Sequence, residues 1–127
     1  MDFALDANQD SIRDAIQKIC ARFDDAYWLK KDKEGGFPID FHKAMADAGW
    51  LGICIPEAYG GSGLGITEAA IMMRTIAESG AGMSAPSAVH MNVFGLKPVA
   101  VFGTPEQCER MLPPVVAGRE KACCAVT

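Results

Sequence analysis

The chain has 127 residues, half of them apolar, with 12 basic and 16 acidic side chains and a net charge of −4. That is enough for one domain with a single core. No run of like charge forms, and the densest basic stretch, residues 30–33, is diluted by Asp32 and Glu34 and reads as a solvated helix face, so nothing here is a footprint for duplex nucleic acid.

The first helix is expected from Asp6 to about Phe23. Asp6 is a good N-cap, and Gln9 three positions on can close a capping box. Ile12, Ile16, Ile19 and Phe23 then recur at helical spacing on one face, with Arg13, Asp14, Gln17 and Lys18 covering the other. A short second helix holds Tyr27, Trp28 and Lys31 and ends at Gly35-Gly36. Pro38 opens the next, whose stripe is Phe37, Phe41, Met45 and Ala48, with Gly49 after its end. The apolar run 50–56 is too short to assign as a helix, and 57–65 is a glycine-rich connection. Thr67 is the expected N-cap of a helix through Ile71, Arg74, Ile76 and Ala77, stopped by Gly80 and Gly82.

From Ser84 to Phe102 the pattern is helical, opened by Pro86 and broken by Pro98, which predicts two pieces or one kinked helix. Thr104-Pro105-Glu106-Gln107 is the clearest local signal: N-cap threonine, proline at the first helical position and glutamine closing the box. That helix carries Cys108, Met111 and Leu112, is bent or ended by Pro113-Pro114, and the segment closes at Gly118. Residues 121–127 change character and read as the opening of a β-strand. The expected fold is all-α, a bundle of about five or six helices over residues 1–118. Residues 119–127 are expected to begin another domain.

Five cysteines, at 20, 54, 108, 123 and 124, are odd in number and make no Cys-x-x-Cys, and neither His42 nor His90 pairs with one at zinc-ligand spacing. That argues against a disulfide framework and against a metal site. The first residues have no basic, apolar leader pattern, and no apolar stretch is long enough for a membrane span, so a cytoplasmic protein is expected.

Four motifs invite chemistry. The glycines at 61, 63 and 65 miss the dinucleotide fingerprint, which needs the third glycine at the sixth position and an acid about twenty residues on. They also lack the lysine of a phosphate loop, so they read as a tight turn. Adjacent Cys123 and Cys124 suit alternating strand positions better than a strained disulfide. His90, beside Met91 and Phe94, has no nucleophile or carboxylate at readable spacing and reads as a core or interface histidine. Met72, Met73, Met83 and Met91 read as core filling. No catalytic set assembles from these residues, and physics alone gives an all-α domain.

Three ordered stretches go further. Residues 48–65 (AGWLGICIPEAYGGSGLG) resemble the pattern A-G-L-L-G-I-x-x-P-E-x-Y-G-G-x-G-L of acyl-CoA dehydrogenases. Residues 102–107 (FGTPEQ) with 112–118 (LPPVVAG) resemble the family's F-G-T-x-E-Q and L-P-x-x-x-x-G, and 123–127 (CCAVT) resemble the first half of its C-F-A-L-T/S-E-P strand. The resemblance implies the amino-terminal helical domain of a three-domain flavoenzyme. There a carboxylate from the carboxy-terminal domain takes the proton next to an acyl-CoA thioester, and FAD accepts the hydride from the next carbon.

By the same resemblance Thr127, Val126 and Cys124 face the FAD, although an aromatic is usual where Cys124 stands. No catalytic residue is expected in this chain. The acyl pocket is expected along 84–101, with His90, Phe94 and Val101 as its candidates. Acyl-CoA as substrate, an electron-transfer flavoprotein as acceptor and a homo-oligomer are the implied partners, and the chain alone is expected neither to hold FAD nor to turn over. Flavin monooxygenases and nitroalkane-type oxidases share these signatures and are the nearest alternative. A helical interaction module without chemistry is the alternative from another class.

Overall fold

The computed structural model describes residues 4–123 and 125. Seven α-helices occur among them: α1 (Ala7–Cys20), α2 (Asp25–Glu34), α3 (Ile39–Asp47), α4 (Ile66–Ile76), α5 (Ser84–Phe94), α6 (Lys97–Phe102) and α7 (Pro105–Val116). Two 3-10 turns, Trp50–Gly52 and Glu57–Tyr59, lie between α3 and α4, and a π-turn, Ala77–Ala81, continues α4. The all-α expectation holds.

The start signals work as side-chain chemistry. Asp6 accepts the Gln9 amide at 2.8 Å while Gln9 Oε1 accepts the Asp6 amide at 3.2 Å, so two orphan donors at the head of α1 are satisfied. Thr104 and Gln107 do the same for α7 at 3.3 and 2.9 Å. Asp24 caps α2 by accepting the Tyr27 amide. This is why α1 ends at Cys20 and not at Phe23: the chain must turn over 21–23 to bring Asp24 into the extended conformation of a cap.

Helix α4 begins two residues earlier than its threonine suggested. Gly65 is the N-cap, and Glu68 reaches back to accept its amide at 3.0 Å. Thr67 lies inside the helix. The break after α5 falls at Gly95-Leu96, and Pro98 sits in the first turn of α6, where its missing N–H costs nothing. Pro113 and Pro114 do not end α7. They remove the donors that would have served the carbonyls of Glu109 and Arg110, two exposed positions that water can reach, and the helix runs on to Val116.

Helix α1 lies against α4, and α5 packs across α3 and α4. Between them Ile16, Phe41, Met45, Leu51, Met72, Ile76 and Val89 are almost wholly buried. Each such side chain contributes roughly 1.5–3 kcal/mol through loss of water contact. An aromatic knot closes one end, with Phe23–Phe41 and Trp28–Phe41 centroids 5.4 and 5.3 Å apart in edge-on geometry. A smaller cluster, Ile55, Cys108, Leu112 and Val116, joins α7 to the turn at 52–55. Met72 fills the core as expected. Met83 does not: it is 76 % exposed.

Past Gly118 the described residues carry no regular structure, and among the described residues no strand is formed, since a strand needs a paired neighbour. The segment is nevertheless tied down. The amides of Arg119 and Glu120 both donate to the Pro114 carbonyl, and Lys121 Nζ sits 4.3 Å from the centre of the Phe37 ring.

Candidate functional site: the outer face of α5 and α6

Helix α5 is apolar nearly all round. Ala85, Ala88, Val89 and Val93 face the core, and Asn92 among them donates to the Val115 carbonyl at 3.3 Å. The opposite side should then be polar if water were its only neighbour. Ser84 and Ser87 are, but Met91 is half-buried and Phe94 is 47 % exposed. The His90 ring stands 5.2 Å from that of Phe94, with its Nδ1 2.8 Å from the Ser87 carbonyl. Helix α6 adds Val101 at 55 % and Phe102 at 86 % exposure.

All three candidate substrate residues therefore lie on the α5–α6 stretch and reach the surface. The described hydrogen-bond partner of His90 is the Ser87 carbonyl, which fixes the orientation of its ring. Sequence reasoning did not anticipate the exposure of Phe102 and Met83. Their signal was present: α5 and α6 carry more apolar residues than one buried stripe can absorb. Cys124, Val126 and Thr127 lie outside the described residues.

The glycine loop is a structural turn. The amides of Gly60, Gly61, Ser62, Gly63 and Leu64 donate to the carbonyls of Glu57, Pro56, Gly52, Ile55 and Ile53, and that of Gly65 to Glu68. No N–H from 60 to 65 is left to hold a phosphate. Cys20, Cys54 and Cys108 are buried and free, and burial pushes the thiols of Cys20 and Cys54 up, away from the thiolate a nucleophile needs. Among the described residues no group of acids, cysteines and histidines could hold a metal, and no helix is long and apolar enough to cross a membrane. What the described surface offers is an apolar wall.

Comparison with known proteins fits that geometry. The sequence model described as "Acyl-CoA dehydrogenase, N-terminal domain" matches residues 6–119. The chain is 30% identical to "Probable acyl-CoA dehydrogenase YngJ" of Bacillus subtilis (strain 168), over 93% of this chain and 31% of that protein. It is 30% identical to "Acryloyl-CoA reductase (NADH)" of Anaerotignum propionicum, over 100% of this chain and 32% of that one. A solved structure described as "Electron transferring flavoprotein of Acidaminococcus fermentans: Towards a mechanism of flavin-based electron bifurcation" superposes with a TM-score of 0.78 at 28% identity, covering 95% of this chain and 32% of its own. The chain spans about a third of the length of these relatives. It belongs to the acyl-CoA dehydrogenase family, of which it carries the N-terminal domain.

Proposed function

We propose that this chain works as the N-terminal domain of a FAD-dependent enzyme that oxidises an acyl-CoA thioester to the 2,3-enoyl-CoA. The observation that carries the reading is the solvent-facing apolar wall of α5 and α6, with Phe94, Val101 and Phe102 exposed on a domain whose core is already filled. In that enzyme the wall lines the acyl chain and packs against the flavin-carrying domains, and His90 borders it. Burial of each exposed aromatic there contributes at about 25 cal/mol per Å². The helical domain covers 1–118, and 119–127 opens the next domain.

FAD, when bound, supplies the hydride acceptor. The glycine loop does not fit its diphosphate, because it has spent its amides on its own turn. The reading therefore places this chain's flavin contacts after Gly118, at Cys124, Val126 and Thr127, on the strength of the family pattern there. The two curated relatives above are named for acyl-CoA chemistry, which supports that substrate class. The solved neighbour's description supports an electron-transfer flavoprotein as acceptor. The working enzyme is proposed to be a cytoplasmic homo-oligomer.

The test is an anaerobic titration of the full-length protein with acyl-CoAs of different length and branching, followed by the visible flavin spectrum. Bleaching by one acyl-CoA class is the expected result and names the substrate. A flavin that stays oxidised with every thioester would transfer the domain to the monooxygenase and oxidase relatives.

A further inference from the structure

His42 lies on α3 with its side chain buried, 4 % exposed, and its Nε2 has no hydrogen-bond partner among the described residues. Its ring stands 5.2 Å from that of Phe37, edge to face. On Phe37 also sits the Lys121 ammonium, 4.3 Å from the ring centre. One aromatic ring thus serves two groups: a permanent cation from the segment after Gly118, and an imidazole that becomes a cation when protonated. Gly118 closes the arrangement from α7, since a Cβ placed there would lie 3.6 Å from His42 Cε1.

Few charges can compensate a proton on His42. On its own helix Lys43 and Asp47 border the same cleft, but they are paired with one another at 2.7 Å. Helix α5 presents Asn92, whose side chain favours the charged imidazole, and among the described residues the turn after α7 presents Ala117 and Gly118, neither of them charged. The segment presents Lys121. Burial first, and Lys121 after it, hold the imidazole below its ordinary range.

We propose that His42 is a proton-controlled latch on residues 119–123: neutral, it lets Lys121 seat on Phe37; protonated, it repels Lys121, competes for the ring and loosens the segment. The segment is the only described path from α7 onward. Its other described fastenings are few: the Arg119 and Glu120 amides on the Pro114 carbonyl, and Ala122 close against Gly95. The sign follows from linkage. An imidazole whose folded pKa is depressed leaves the latch intact above the unfolded value of about 6.5, and the fastening is lost as the pH falls below it toward the folded pKa.

The inference does not depend on any flavin reading, because its test uses the 127-residue chain alone. Nuclear magnetic resonance would follow three signals through a pH titration: the His42 Cε1 proton, the Lys121 side-chain methylene protons displaced by the Phe37 ring current, and the protection of the Arg119 and Glu120 amides. The expected result is that Lys121 loses its ring-current displacement, and the two amides their protection, with the midpoint at which His42 titrates. In H42Q the displacement should persist across the same range. If H42Q does not fold, the coincidence of midpoints in the unaltered chain decides. A Lys121 signal that stays displaced after His42 has titrated, or that moves equally in H42Q, overturns the latch.

Discussion

Gln9 and Glu68 sit 59 residues apart in sequence, and the Gln9 side-chain amide donates to Glu68 Oε1 across 3.3 Å. Each is the N3 residue of its own helix: Gln9 accepts the Asp6 amide, and Glu68 accepts that of Gly65. The heads of α1 and α4, the two helices that pack against each other along the core, are therefore capped by side chains that also bind one another.

A pH dependence follows. The carboxyl of Glu68 is held below its ordinary range by hydrogen bonds, chiefly from its own backbone, then from Gln9, with the Gly65 amide adding to them. A depressed carboxylate contributes stability that is present above its unfolded pKa and lost as the pH falls through the folded one. The Tm of the unaltered chain should exceed that of E68Q near neutrality, and the gap should close as the pH falls below the ordinary carboxylate range. Thermal melts of both proteins across that range check it; a gap that widens in acid would refute the assignment.

Two neighbouring glycines should fail for different reasons. At Gly60 the φ of 85° is a left-handed value that costs a side chain roughly 1–2 kcal/mol. At Gly61 the backbone is ordinary, but a Cβ would run into the Ile55 carbonyl, against which the turn is folded. Backbone must move to admit it, so G61A should cost more than G60A, about 3 kcal/mol or above. Urea unfolding of the two variants measures the difference, and the reverse order would show that the turn is looser than its hydrogen bonds require.

The aromatic knot and the surface should separate cleanly. Phe41 is wholly buried among Phe23, Trp28 and Met45, so F41A should cost about 3–5 kcal/mol. Ile39, two residues away and 64 % exposed, should cost within about 0.5 kcal/mol when changed to Ala. Equal losses in chemical unfolding would mean that α3 is rotated from its described face.

Much of this architecture was legible because its signals are local. Asp6 with Gln9, and Thr104 with Gln107, are complete capping boxes within four residues, and both form as read. The start of α4 was not legible in the same way. A glycine cap has no side chain to announce it, and the clue was Glu68, which reaches backward, while Thr67 offered a more familiar hydroxyl. That Pro113 and Pro114 do not end α7 was not legible, because their cost depends on whether the carbonyls they orphan face water, a tertiary fact. The site was half-legible for a related reason. His90, Phe94 and Val101 were named as candidates along a family resemblance, whereas the exposure of Phe102 and Met83 is a tertiary fact that periodicity does not reveal when a helix is apolar on both sides.

That second apolar side should have two consequences. In the chain alone Phe94 and Phe102 face water, and large exposed apolar side chains of this kind favour association, so concentration-dependent dimers or larger species are expected. The double variant F94S/F102S removes the two exposed aromatics of the wall without touching the core, so it should sediment as a monomer with stability within about 1 kcal/mol of the original. In the full-length enzyme the F94S change alone should raise KM for a long acyl-CoA by about tenfold, the equivalent of about 1.4 kcal/mol of lost apolar burial, with a smaller effect on a short one. Sedimentation and steady-state kinetics read the two effects separately. Unchanged association in the double variant would place the sticky surface elsewhere, while an unchanged KM at every chain length would make the wall a seam between domains and not a lining for the substrate.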